Sequence, residues 1–126
     1  MGAVEYKEFT FGEFIDAIEE NGLPQTFGSF FRNKLQDGLS LNPRGIIWSA
    51  CAVGQGDINL GIRPDGWLGD WDGDVQFVRE QIYELNDIQR LSLPEIAQKV
   101  RDRYPTVLST KIKAPVKTYK VVKENK

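Results

Sequence analysis

A mainly α-helical fold, a compact bundle of four to five short helices, is the class this sequence predicts. Minor strand content is expected only in the middle segment or the C-terminal tail. Three observations lead there. Two well-separated segments open with a capping box flanked by a hydrophobic staple, a start signal peculiar to helices. A third segment repeats its apolar residues at helical spacing. The composition, 40% apolar and 27% charged over 126 residues, is that of a chain able to bury one core and too short for two ordinary domains.

The first helix begins at Thr10. Glu13 stands three residues later, so each side chain can satisfy a backbone N–H at the helix start, with Phe9 and Phe14 as the staple. Ile15, Ala17 and Ile18 extend the apolar face, and Asn21-Gly22 followed by Pro24 should end it. Phe27 to Leu35 reads as a short helix with Phe30, Phe31 and Leu35 inward, stopped at Asp37-Gly38. Asn42-Pro43 resembles a cap and first helical position for 44–60. Gly45, Gly54 and Gly56 weaken that reading, because each costs roughly 1 kcal/mol relative to alanine inside a helix. Ile46, Ile47, Ala50, Cys51 and Val53 could equally make a buried strand. The helix is preferred because Ala50, Cys51, Ala52 and Gly54 are small enough to let neighbours approach closely.

Asp74 is a suitable cap for a helix over Val75 to Leu85, with Val75, Phe77, Val78, Ile82 and Leu85 at helical spacing. The last helix repeats the grammar of the first. Ser92 and Glu95 form the capping box, Leu91 and Ile96 the staple, and Pro94 lies in the first turn, where its missing N–H is harmless. Ile96, Ala97, Val100 and Tyr104 line one face until Tyr104-Pro105 ends it.

Charge divides the chain into a helical domain over 1–108 and a lysine-rich tail over 109–126. The tail holds six lysines against one glutamate, a charge of +5, which leaves −7 on the remainder of a chain whose net charge is −2. The two parts should attract each other. Lys111, Lys113, Lys117, Tyr119, Lys120 and Lys123 are the candidate partner-binding residues. They would serve a protein partner or a homo-oligomer, or nucleic acid by tracking phosphates with Tyr119 available for stacking. The acidic remainder and the absence of arginine from the tail favour an acidic protein surface over phosphate.

Other functions are narrowed by what is missing. The chain has no histidine, so it has no imidazole base, no Ser-His or Cys-His nucleophile and no histidine zinc ligand. No enzyme activity and no cofactor are expected. Cys51, the only cysteine, reads as a small buried hydrophobe, and it cannot form an intrachain disulfide. Asp70, Asp72 and Asp74 alternate like the first ligands of a calcium loop and are the candidate metal residues. Val75 and Gln81 then stand where that loop needs Gly and Glu. A small-ligand or carboxylate site using this loop with Trp48, Trp67 and Trp71 is the alternative. The glycines of Gly54-Gln55-Gly56-Asp57 suit close packing better than phosphate binding. No apolar run reaches the ~20 residues of a membrane span, and Met1 to Lys7 lacks the pattern of a secretory signal. A cytoplasmic location, in a cell or bacterial host, is the expectation.

The order of three motifs, an amphipathic first helix, Cys51-Ala52-Val53-Gly54-Gln55, and Leu85-Asn86-Asp87 before the helix capped by Ser92, resembles a loose family of small uncharacterised phage and bacterial proteins. That family shows a Cys-x-x-Gly helix and an Asn-Asp pair before a Ser/Thr-capped helix. The resemblance spans roughly residues 9 to 104 and implies a helical fold and a phage setting, with no chemistry attached. This chain departs from it at Gln55 and Gly56, where small apolar residues are expected. The leading functional expectation is a non-enzymatic interaction protein.

Overall fold

Helix α1 (Phe11–Glu19) starts as its sequence requires, because Thr10 accepts from the Glu13 N–H and Glu13 accepts in return from the Thr10 N–H at 2.8 Å. Phe11, Phe14, Ile15, Ala17 and Ile18 are all buried, and Phe9 and Phe14 both pack on Trp71, with ring centroids 5.7 and 5.1 Å away. The computed structural model describes residues 5–20, 23–27, 31–34, 46–62, 71 and 73–117. The expected stop at Asn21-Gly22 lies outside them.

Among the described residues, four α-helices and two short antiparallel ladders make up a mainly α fold. Strand β1 (Tyr6–Thr10) leads into α1, β2 (Phe31–Lys34) and β3 (Ile46–Ala50) follow, and α2 spans Ala52–Leu60. Helices α3 (Gly73–Asp87) and α4 (Leu93–Arg103), a 3-10 turn at Pro105–Val107 and strand β4 (Lys111–Pro115) complete the order.

Two expectations are corrected here. The segment expected to be helical throughout 44–60 is a strand up to Ala50 and a helix only from Ala52. Both readings of that segment are therefore correct over different halves: β-branched Ile46 and Ile47 fall in the strand, and the small residues after Cys51 fall in the helix. The short helix expected over Phe27 to Leu35 is instead β2 at Phe31–Lys34. It pairs with β3 from Phe31↔Ala50 to Lys34↔Ile46, with a register shift between Arg32 and Asn33. Strand pairing to a distant partner overrides the local apolar spacing.

Helix α2 is the buried centre, with Ala52 through Asp57 all inaccessible and Gly61 closing it in the left-handed conformation at φ 73°. Its closest approach is to α1. A Cβ on Gly56 would lie 2.6 Å from Cε1 of the fully buried Phe14, so only glycine fits there without displacement. Helix α3 buries Val75, Val78, Ile82 and Leu85 as expected, together with Arg79 and Asn86. Phe77 departs from the expected inward set: it is 52% exposed and meets Tyr104 edge-on at 6.2 Å. Two positions from Val75 on a 3.6-residue helix, it turns away from the buried stripe. Helix α4 has the Ser92/Glu95 capping box and buries Ile96, Ala97 and Val100.

The first residues of the lysine-rich tail are part of this core. β4 pairs with β1 from Tyr6↔Pro115 to Thr10↔Lys111, and it buries Ile112, Ala114 and Pro115 while exposing Lys111 and Lys113. The residues just before β4 cap α1, where Phe11 N donates to Thr110 O at 2.9 Å and Gly12 N to Leu108 O at 2.8 Å. These bonds satisfy two of the N–H groups that a helix start leaves open.

Candidate functional site

The two short motifs singled out in the sequence meet in space. Asn86, at the end of α3 and fully buried, accepts at Oδ1 from the Ala52 N–H at 2.9 Å and from Gln25 Nε2 at 2.8 Å. Its Nδ2 donates to Thr26 O at 2.9 Å and to Asp87 Oδ1 at 2.7 Å. One amide thus ties the start of α2, the 25–26 segment and the end of α3 together. Gln55 does the same one turn into α2. Its Nε2 donates to Leu23 O, Pro24 O and Ala50 O, and its Oε1 accepts from Leu23 N. Next to this node, the Thr26 hydroxyl donates to Ser49 Oγ. These side chains replace water for backbone groups of an irregular segment, which explains polar residues at buried positions.

Cys51 is the N-cap of α2, and its Sγ accepts from the Gly54 N–H at 3.4 Å. Burial pushes its thiol up to about 12, against the smaller lowering effect of the backbone N–H groups of Gly54 and Val53. A thiol held protonated is neither a nucleophile nor a metal ligand at neutral pH. Nearby, Arg79 and Asp57 form a buried ion pair at 3.3 Å, with the guanidinium stacked 4.1 Å from the Trp71 ring centroid and 5.4 Å from that of Phe14. This wedge of charge is enclosed by aromatic rings and joins α2 to α3.

Of the candidate metal residues, the described part of the structure holds Asp74 alone. Asp74 is exposed in the first turn of α3, where a negative charge suits the helix dipole. Asp70 and Asp72 lie outside the described residues, and among the described residues no group of three or more acidic or cysteine side chains is placed to hold a metal. Of the tryptophans, Trp71 is in the core at 7% exposure, and Trp67 lies outside the described residues.

Of the candidate partner-binding residues, Lys111 and Lys113 project from the exposed face of β4, with Lys113 Nζ 5.9 Å from the Tyr6 ring centroid. Lys117 is half-buried, and its N–H donates to Gly61 O at 2.9 Å. Tyr119, Lys120 and Lys123 lie outside the described residues.

Sequence reasoning missed an open cleft of about 310 Å3 between β1, α1 and the end of α2. Glu8, Glu13, Asp16 and Glu20 line it, with Lys7, Phe9 and Leu60. The signal was present, since 13, 16 and 20 recur on one face of α1, but such a stripe reads from sequence as an ordinary wet helix face. Lys7 Nζ donates to Leu60 O at 2.7 Å. Asp16 and Glu19 pair with Arg101 of α4, Asp16 at 2.8 Å. The cleft therefore carries four carboxylates and one ammonium, with Asp16 paired to Arg101 and Glu13 accepting from the Thr10 N–H.

No helix among the described residues is long and apolar enough to cross a membrane. Comparison with protein-family models, with curated proteins and with solved structures finds no match to this chain.

Proposed function

We propose that this chain is a non-enzymatic interaction protein, of the phage or bacterial setting its motifs resemble, that binds another macromolecule or a second copy of itself through its lysine-rich C-terminal segment. The observation that carries this reading is the separation of charge. Lys111 and Lys113 are held outward on β4 by the burial of Ile112 and Ala114, which alternate with them, at the head of a segment that continues with Lys117, Lys120, Lys123 and Lys126. The acidic cleft begins on the neighbouring strand, at Glu8, which stands opposite Lys113 in the β1–β4 ladder. Opposite charges presented on rigid elements steer association and set its register.

Light scattering over a range of concentrations, together with capture of partners from a bacterial lysate, tests the reading. Association should weaken as salt rises, because exposed charges are screened within about 8 Å at physiological ionic strength. Deleting residues 118–126, which leaves β4 whole, should abolish it. Equal mass and equal capture with and without those residues would overturn the proposal. A DNA titration that shows tight, steeply salt-dependent binding would replace the acidic protein partner by nucleic acid.

A further inference from the structure

Among the described residues, strand β1 is bonded along one edge. Val116 N donates to Glu5 O at 2.8 Å and Phe11 N to Thr110 O at 2.9 Å. Bonding residues alternate in an antiparallel ladder, so Glu5, Lys7 and Phe9 direct their backbone groups at β4, while Tyr6 and Glu8 direct theirs at the opposite edge. Among the described residues no strand pairs with that edge. Three consecutive β1 residues, Lys7, Glu8 and Phe9, line the acidic cleft and no residue of β4 does, so the wall they form is the unpaired edge. An open strand edge is a template for an added strand, and the side chains beside it select which strand is added.

We infer that the unpaired edge of β1, with the Glu8, Glu13, Asp16 and Glu20 carboxylates beside it, receives the lysine-rich C-terminal segment of a second copy of this chain as an added strand. This rests on the reading of that segment as the binding element and names the surface it binds. Charge complementarity selects the occupant, since Lys120, Lys123 and Lys126 against Glu124 alone give the segment a charge opposite to that of the Glu8 and Glu20 carboxylates of the cleft. Thr118, Tyr119, Val121 and Val122 are of the types that favour strands. A second copy is indicated because Lys117 follows β4, which occupies the other edge of β1, so the chain's own segment starts across β1 from the open edge.

Charge exchange in the full-length chain tests this by light scattering. The double variant Glu8→Lys/Glu20→Lys should weaken association about tenfold or more, as should Lys120→Glu/Lys123→Glu. All four sites are compared only in chains whose thermal melt matches the parent. Mixing the two variants should restore association to near the parental strength, because acidic segment then meets basic cleft. Amide hydrogen exchange supplies the independent reading: Tyr6 and Glu8 N–H should slow on association. Association that survives Glu8→Lys/Glu20→Lys but not Lys120→Glu/Lys123→Glu overturns the cleft and leaves the binding role of the segment intact. A chain that is monomeric at all concentrations overturns this inference, and lysate capture then decides the broader reading by itself. Restoration without protection of Tyr6 and Glu8 overturns strand addition.

Discussion

Asn86 makes four hydrogen bonds from a position with no exposure, and its removal strands the Ala52 N–H and the Thr26 carbonyl in a dry interior. Asn86→Ala should cost about 2–4 kcal/mol, since each buried group left without a partner costs about 1–3 kcal/mol, measured by urea unfolding. Asn86→Asp should also destabilise, because it removes both donors and sets a second carboxylate beside Asp87. Cys51 gives a pH signature. Its folded value of about 12 stands above the ordinary 9.0, so above pH 9 the unfolded chain sheds a proton that the folded chain keeps. Its stabilising contribution is whole below pH 9 and is lost as pH rises toward 12, with a slope of up to about 1.4 kcal/mol per pH unit. Comparing parent with Cys51→Ser by urea unfolding from pH 8 to 10.5 isolates that slope, since the serine keeps the cap and does not titrate there. A parent whose stability falls no faster than that of the serine variant would contradict it. At this scale the sequence was legible in part. The cap residues Thr10, Glu13, Ser92 and Glu95 act over three positions and could be read directly. Asn86 and Gln55 serve backbone groups 30 to 60 positions away, and no local pattern announces such a bond.

The contact of α1 with α2 depends on a missing side chain. Alanine at position 56 would gain roughly 1 kcal/mol of helix propensity, yet its Cβ would press within 2.6 Å of the Phe14 ring, which is fully buried and packed against Phe11 and Trp71. Gly56→Ala should therefore destabilise by a net 1 kcal/mol or more, with overpacking at about 1–3 kcal/mol outweighing the propensity gain, as a lowered melting temperature would show. The ion pair between α2 and α3 is sensitive for another reason. Arg79→Ala removes the guanidinium beside a fully buried carboxylate and should cost about 3–5 kcal/mol, whereas Arg101→Ala, which breaks a partly exposed pairing of α4 with α1, should cost under about 1 kcal/mol. The same urea experiment ranks the two. Helices with local start signals, α1 and α4, were legible from sequence. The 44–60 segment and Phe27 to Leu35 were not, because a strand's identity depends on its partner and the partner lies elsewhere in the chain.

For the whole molecule, the boundary that charge suggested at residue 109 does not separate a body from an appendage. Residues 111–115 complete the core by burying Ile112 and Ala114 and pairing with β1, and the charge change coincides with the outward face of that strand. A chain ending after Ser109 should lose cooperative thermal unfolding, whereas one ending after Lys117 should melt within a few degrees of the full chain. Calorimetry distinguishes the two, and a cooperative transition in the shorter chain would show that β4 is dispensable. The acidic cleft was illegible for a related reason, since Glu8 and Leu60 lie far apart in sequence and only the fold makes them neighbours.

The pairing of β1 with β4 also sets an order on events during synthesis. Thr10 meets Lys111 only after about a hundred intervening residues have been made, and contacts of such separation are the slowest to form. As the nascent chain emerges, Phe9 and Phe14 are already made and await cover, but the strand that completes their layer has not yet left the ribosome. A strand translated about a hundred residues later thus closes the earlier one, and a chain stalled before Lys111 would display that aromatic surface to every holdase it meets.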